Sequence, residues 1–237
     1  MRTIGLLGGM SWESTASYYR ALNLGVQARL GGLHSARICM LSVDFDEVEQ
    51  FQNAGRWDQA AAILVQAALR VQAGGADFLL ICTNTMHKVA PAVEAALSIP
   101  LVHIADATAE RILEQGIKRI GLLGTRFTME EDFYKGRMAD RFGIQVLVPE
   151  PHERRIVHEV IFSELCRGRL IEASRRQYLT IIQGLADRGA QAVVLGCTEI
   201  GLLVNQDHAR VPLLDTTAIH AAKAVELALE DRQGYKG

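Results

Sequence analysis

Short runs of aliphatic and β-branched residues recur along the chain, and a longer amphipathic stretch separates each from the next. Thr3–Leu7, Ile38–Val43, Phe78–Ile81, Leu101–Ile104, Ile120–Leu123, Gln145–Val148, Ala192–Leu195 and Leu213–Leu214 are predicted strands. Most of them lack polar alternation, as expected of parallel strands covered on both faces. The stretches Trp57–Gln72, Ala105–Gln115, Arg154–Arg167, Arg175–Asp187 and Ala218–Glu230 are predicted helices. Strand alternating with helix implies an α/β fold with a mainly parallel sheet.

The pattern also repeats. Arg2 to Gly8 recurs as Lys118 to Gly124, Gly75 to Thr83 as Gly189 to Cys197, and Ile99 to Val102 as Val211 to Leu214. The spacing between copies stays nearly constant, and the order is kept. An internal duplication of this kind predicts two pseudo-symmetric lobes, each a mainly parallel sheet flanked by helices, with the active site in the cleft between them. The first lobe is expected to comprise residues 1–98 plus about 208–237, and the second residues 99–207. In open α/β sheets ligands gather at the carboxyl ends of the strands. Gly8-Gly9, Gly124-Thr125, Thr83 and Cys197 all fall just past such ends.

Composition narrows the class. Of 237 residues, 49% are hydrophobic and 22% charged, and the formal net charge is −2. No basic cluster points to nucleic acid or an anionic membrane. Met1 to Gly9 reads as a buried strand running into a glycine turn rather than as a secretory signal, and no apolar run reaches membrane-spanning length. The expected address is cytoplasmic. The cysteines Cys39, Cys82, Cys166 and Cys197 include no Cys-x-x-Cys pair, which argues against a zinc site or a disulfide framework. Neither a metal nor a cofactor is expected.

The duplication makes Thr83 and Cys197 equivalent. Each precedes small polar residues, Asn84-Thr85 in one copy and Thr198-Glu199 in the other. Amide and hydroxyl donors just past a strand end suit a carboxylate, so Asn84, Thr85 and Thr198 are candidate clamps for the α-carboxylate of an amino acid. The same donors would stabilise charge that spreads into that carboxylate when the α-proton leaves.

Three blocks, Gly8 to Thr15, Cys82 to His87 and Gly196 to Leu203, closely resemble the signatures of the aspartate/glutamate racemase family, and the resemblance spans essentially the whole chain. It implies a two-base racemisation of aspartate, glutamate or a similar amino acid, without pyridoxal phosphate or metal. Two cysteines flank the α-carbon in such enzymes: one as thiolate takes the proton, the other as thiol returns one to the opposite face. Here the first of the pair is Thr83. Cys82 lies one residue too early to replace it, because neighbouring strand residues point to opposite faces. A hydroxyl is a poor anionic base, so the resemblance implies a bias toward L-substrate: Cys197 deprotonates and Thr83 protonates. It further implies Met10 and Gln52 as substrate-lining residues and a homodimer as the assembled form. Thr125 mirrors Gly9 and is a candidate donor; Glu199, beside the thiol, is a candidate to tune it. His87 reads as a surface or capping residue at a helix start. Arg126, Lys88 and Arg167 are candidates to pair with a distal carboxylate.

Three other readings compete. The turn Gly5 to Met10 suggests a dinucleotide site, but its spacing is not G-x-G-x-x-G. A single thiol at the symmetric pair also fits a decarboxylase of the same superfamily. A non-catalytic two-lobed amino acid-binding protein would explain the duplication but not the thiol.

Overall fold

Burial of every position from Ile4 to Gly8 fixes the character of the first sheet, because a strand covered on both faces can exchange hydrogen bonds only with its lateral neighbours. The computed structural model describes residues 1–230, which divide into two compact units. The first holds residues 1–104 and 220–230; the second holds residues 105–219.

In the first unit the parallel sheet runs β2 (Ile38–Ser42), β1 (Ile4–Gly8), β3 (Phe78–Ile81), with Ile4 level with both Ile38 and Phe78. A single bridge from Leu79 to Leu101 extends it. Alternation along β1 sorts its side chains. Leu7 joins Leu79 and Ile81 against Leu64, Ala68 and Val71 of α3 (Trp57–Ala73). Ile4 and Leu6 face the other way, with Tyr18, Leu22 and Val26 of α1 (Trp12–Leu30) and with Ala221, Ala224 and Val225 of α11 (Thr216–Leu229). Gly5 is a close-approach position: a Cβ there would lie 2.8 Å from both Val71 Cγ1 and the Phe78 carbonyl. Also in this unit are α2 (Phe45–Asn53), a 3-10 turn at Thr85–Val89 and α4 (Ala90–Ala96). The helix α5 (Ile104–Glu114) follows.

The second unit has the order β5 (Gln145–Leu147), β4 (Arg119–Gly124), β6 (Ala192–Gly196), β7 (Leu213–Asp215), all parallel. Its core joins Leu123, Val193 and Leu195 to Val157 and Ile161 of α8 (Pro151–Ser163) and to Tyr178, Ile181 and Leu185 of α9 (Glu172–Asp187). The short helices α6 (Arg126–Glu130), α7 (Asp132–Phe142) and α10 (Ile200–Leu203) complete it.

The sequence repeat is a repeat of hydrogen bonds. Leu79 N–H donates to the Pro100 carbonyl at 2.9 Å, and its counterpart Val193 N–H donates to Pro212 at 2.8 Å. Asp77 N–H donates to Thr3, and Gln191 N–H to Arg119. This pairing moves the expected domain limits. Leu101 belongs to the first sheet and β7 to the second, so residues 99–104 group with the first unit and 208–219 with the second.

Other differences from expectation have local causes. The expected strand Leu101–Ile104 shrinks to one bridge because Ile104 already opens α5. The helix expected from Arg154 starts at Pro151, where Glu150 and Glu153 form a capping box, and ends at Ser163 before a 3-10 turn. Helix α1 went unread because its outer face is also apolar, with Trp12 64% and Tyr19 53% exposed. Among the described residues no helix is long and apolar enough to cross a membrane.

One buried polar bond stitches the α1–α11 layer of the first unit. Tyr18 Oη donates to His220 Nδ1 at 2.8 Å, and His220 Nε2–H donates to the Val102 carbonyl at 2.8 Å. Burial pushes the imidazole down to about 4 from its ordinary 6.5. Because the unfolded chain takes up that proton first, the contribution is fully present above about pH 6.5 and is lost as pH falls toward 4. Melting temperature is therefore expected to drop across that window in the native protein. The drop should flatten in His220→Gln; an unchanged slope would show that another group governs it.

Candidate active site

The loop after β3 is held from below. Backbone pairing continues one residue past the strand, with Cys82 N–H donating to the Leu7 carbonyl at 2.9 Å. The Cys82 side chain is fully buried in the cluster with Tyr18 and Leu22, and burial pushes its thiol far above the usual range. It is a packing residue, as alternation requires. Thr83, Asn84 and Thr85 follow, all buried.

Two sequence candidates in the same unit approach this loop. Met10 packs in one cluster with Met86. Gln52, buried on α2, donates from Nε2 to Met86 Sδ at 2.7 Å. The glycine turn before Met10 is constrained by close approach. Gly9 has φ +97°, a Cβ there would collide with the Val43 backbone, and its N–H donates to Thr15 Oγ1 at 2.9 Å. The Thr15 hydroxyl in turn donates to the Ser11 carbonyl at 3.0 Å.

In the second unit the loop after β6 carries Cys197, Thr198 and Glu199, each buried. Cys197 Sγ donates to Glu199 Oε2 at 3.0 Å, and Thr198 Oγ1 donates to the same oxygen at 2.8 Å. Cys166, from the 3-10 turn Leu165–Arg167, reaches Glu199 Oε1 at 3.9 Å. One buried carboxylate thus gathers two thiols and a hydroxyl. Burial, then the Glu199 charge, then Cys166 push the Cys197 thiol well above its ordinary value, so the resting group is a neutral thiol.

The other sequence candidates have assignable partners. Thr125 caps α6, its Oγ1 accepting from Thr128 N–H at 3.4 Å. The Thr198 hydroxyl, expected to hold a substrate carboxylate, donates to Glu199, and Glu199, expected to line the substrate pocket, is bonded to the thiol. Lys88 Nζ sits 3.9 Å from the centre of the Trp57 ring, and the Arg126 guanidinium 4.8 Å from that of Phe127. His87 is not on the surface: it is 2% exposed. No local sequence signal marks Cys166, which lies 31 residues before Cys197 and joins it only through the fold. Among the described residues no group of three or more His, Cys, Asp or Glu is arranged to hold a metal ion.

Residues 7–224 match the Asp/Glu/Hydantoin racemase family. The fold is similar to that of a candidate Asp/Glu racemase from Yersinia pestis, at 53% identity and TM-score 0.89, over 97% of this chain and 100% of that one. It is also similar to an aspartate racemase homologue from Pyrococcus horikoshii OT3, at 33% identity and TM-score 0.82, over 96% and 99%. The sequence is 21% identical over 172 residues to the broad specificity amino-acid racemase RacX of Bacillus subtilis (strain 168), covering 73% of this chain and 74% of that protein.

The contact between Glu199 and the thiol is directly testable. Removing the carboxylate charge in Glu199→Gln should move the pH dependence of Cys197 alkylation to lower pH, read by mass spectrometry at that peptide. A shift to higher pH, or none, would mean that the carboxylate does not act on the sulfur.

Proposed function

Because the chain belongs to the Asp/Glu/hydantoin racemase family, we propose that this amino acid racemase inverts the α-carbon of aspartate, glutamate or a related polar amino acid, using Cys197 and Thr83 as its two proton-transfer groups. The observation that carries the reading is the matched placement of a thiol and a hydroxyl just past equivalent strand ends, Cys197 directly after β6 and Thr83 one residue beyond the Cys82 that extends the pairing of β3. Inversion needs a base on one face of the α-carbon and an acid on the other. A duplicated fold can supply both from one ancestral position.

The two groups differ in what they can do. Cys197 passes its proton to Glu199 Oε2 along the existing 3.0 Å contact, and the resulting thiolate takes the α-proton of the L-substrate. The C–H electron pair moves into the α-carboxylate, where Asn84 and Thr85, with backbone donors of the two loops, stabilise it. Thr83 delivers a proton to the opposite face and recovers one from solvent, while Glu199 releases its proton to solvent, which restores the resting state. A threonine hydroxyl holds its proton far more tightly than a thiol, so the reverse direction, which needs Thr83 as the base, is slow. The acid–base work is assigned to the chain's own side chains, with no step left for a cofactor. Met10 and Gln52 line the substrate, and Thr125 shapes the second loop through its cap.

Incubation with L-aspartate or L-glutamate in deuterium oxide should place deuterium at Cα and generate the D-enantiomer; binding without exchange would overturn the reading. Cys197→Ala should lower the rate by about 10²–10⁴-fold, the usual worth of a positioned proton-transfer group. In Thr83→Cys, turnover of the D-enantiomer should rise, measured by chiral chromatography. No gain would remove Thr83 from its assigned role.

A further inference from the structure

His87 is fully enclosed, and both of its ring nitrogens have assignable roles. Nδ1 lies 2.8 Å from the Thr83 carbonyl oxygen, and Nε2 receives the backbone N–H of Ile104 at 3.2 Å. A carbonyl oxygen can only accept and a backbone N–H can only donate. The ring must therefore be neutral, with its proton on Nδ1. The imidazole of His103 packs against it, ring centroids 4.4 Å apart.

The repeat sharpens the point. The position equivalent to His87 is Gly201, and a Cβ there would lie 2.7 Å from Asp215 Oδ2. The second loop thus has no counterpart to the imidazole. The Cys197 carbonyl instead accepts the N–H of Ile200 at 3.1 Å, a local turn bond. Only the loop bearing the weaker acid is tethered by a side chain from four residues on.

We propose that His87 is a positioning residue for Thr83: its Nδ1–H grips the Thr83 carbonyl and so fixes the backbone from which the hydroxyl reaches the substrate. The proposal rests on the racemase reading above. A hydroxyl that donates a proton in competition with a thiol has little tolerance for misplacement, since an error of about 1 Å can cost on the order of 10²-fold in rate. His87 touches no substrate, and its effect is confined to the half-reaction that Thr83 carries.

Two substitutions separate its two bonds. In His87→Asn the amide nitrogen stands near the lost Nδ1 and can still donate to Thr83. In His87→Gln the side-chain oxygen stands near the lost Nε2 and can still accept from Ile104, but the donor to Thr83 is gone. Each variant forfeits one bond and the ring packing, so both should melt at similarly lowered temperatures. With L-substrate in deuterium oxide, the informative quantity is D-enantiomer formed relative to deuterium gained with retention, because retention needs Cys197 alone.

That ratio is expected to fall about tenfold or more in His87→Gln, with KM little changed, and to be restored to within about threefold of native in His87→Asn. Equal ratios in the two variants would overturn the proposal. Native protein that exchanges no deuterium would instead sink the racemase reading itself. Should the glutamine variant fail to fold, ¹⁵N-histidine spectra of the native protein read the tautomer directly. A protonated Nδ1 with a bare Nε2 is expected at His87, and the opposite tautomer would overturn the assignment.

Discussion

Parallel strands buried on both faces have nowhere to present chemistry except at their ends. Along β1, β3 and β6 every residue is buried, and the lateral hydrogen bonds are used by neighbouring strands. A polar group placed within such a strand would lose water without gaining a partner, at a cost of several kcal/mol. One residue past the last pairing the restriction lifts. Thr83 and Cys197 occupy that first permitted position, and the loop residues that follow are the donors proposed to make it usable. The proposed location of the chemistry follows from the burial of the sheets.

That constraint also explains what could be read from the sequence. Uninterrupted aliphatic runs mark buried strands, and their recurrence at a steady spacing marks the duplication. Phe78–Ile81 was read to the residue, and Thr83 and Cys197 follow as the residues just beyond strand ends. What stayed hidden depends on contacts between distant positions. The pairing of Leu101 with Leu79 and of β7 with β6, which sets the domain limits, has no local signature. Burial of His87 was missed because a histidine beside a lysine at a helix start looks solvated. Only the fold brings Ile104 and His103 over it.

The two halves keep one backbone plan and have diverged in charge. Behind Thr83 stand His87 and His220, each held neutral by one donor and one acceptor. Beside Cys197 stands a carboxylate. In the proposed mechanism the Thr83 hydroxyl gives up a proton only transiently, a role that neutral support suits. The Cys197 thiol in that mechanism alternates between protonated and ionised forms, and the carboxylate 3.0 Å from it is the group assigned to take its proton. The asymmetry between Thr83 and Cys197 is thus repeated in the residues around them.

The setting of Glu199 fits the role proposed for it. An isolated carboxylate taken out of water costs several kcal/mol, recovered only when its oxygens are well bonded. Here Cys197 and Thr198 both donate to Oε2, at 3.0 and 2.8 Å, and the Cys166 sulfur lies 3.9 Å from Oε1. Thiols are weak donors, and an apolar side chain of similar volume would pack the site without the desolvation cost. In the proposed function that carboxylate receives the Cys197 proton, because the sulfur lies 3.0 Å from Oε2 and a thiol gives up its proton far more readily than the Thr198 hydroxyl 2.8 Å away. The contact that holds the carboxylate beside the sulfur is thus also the proposed path of the proton.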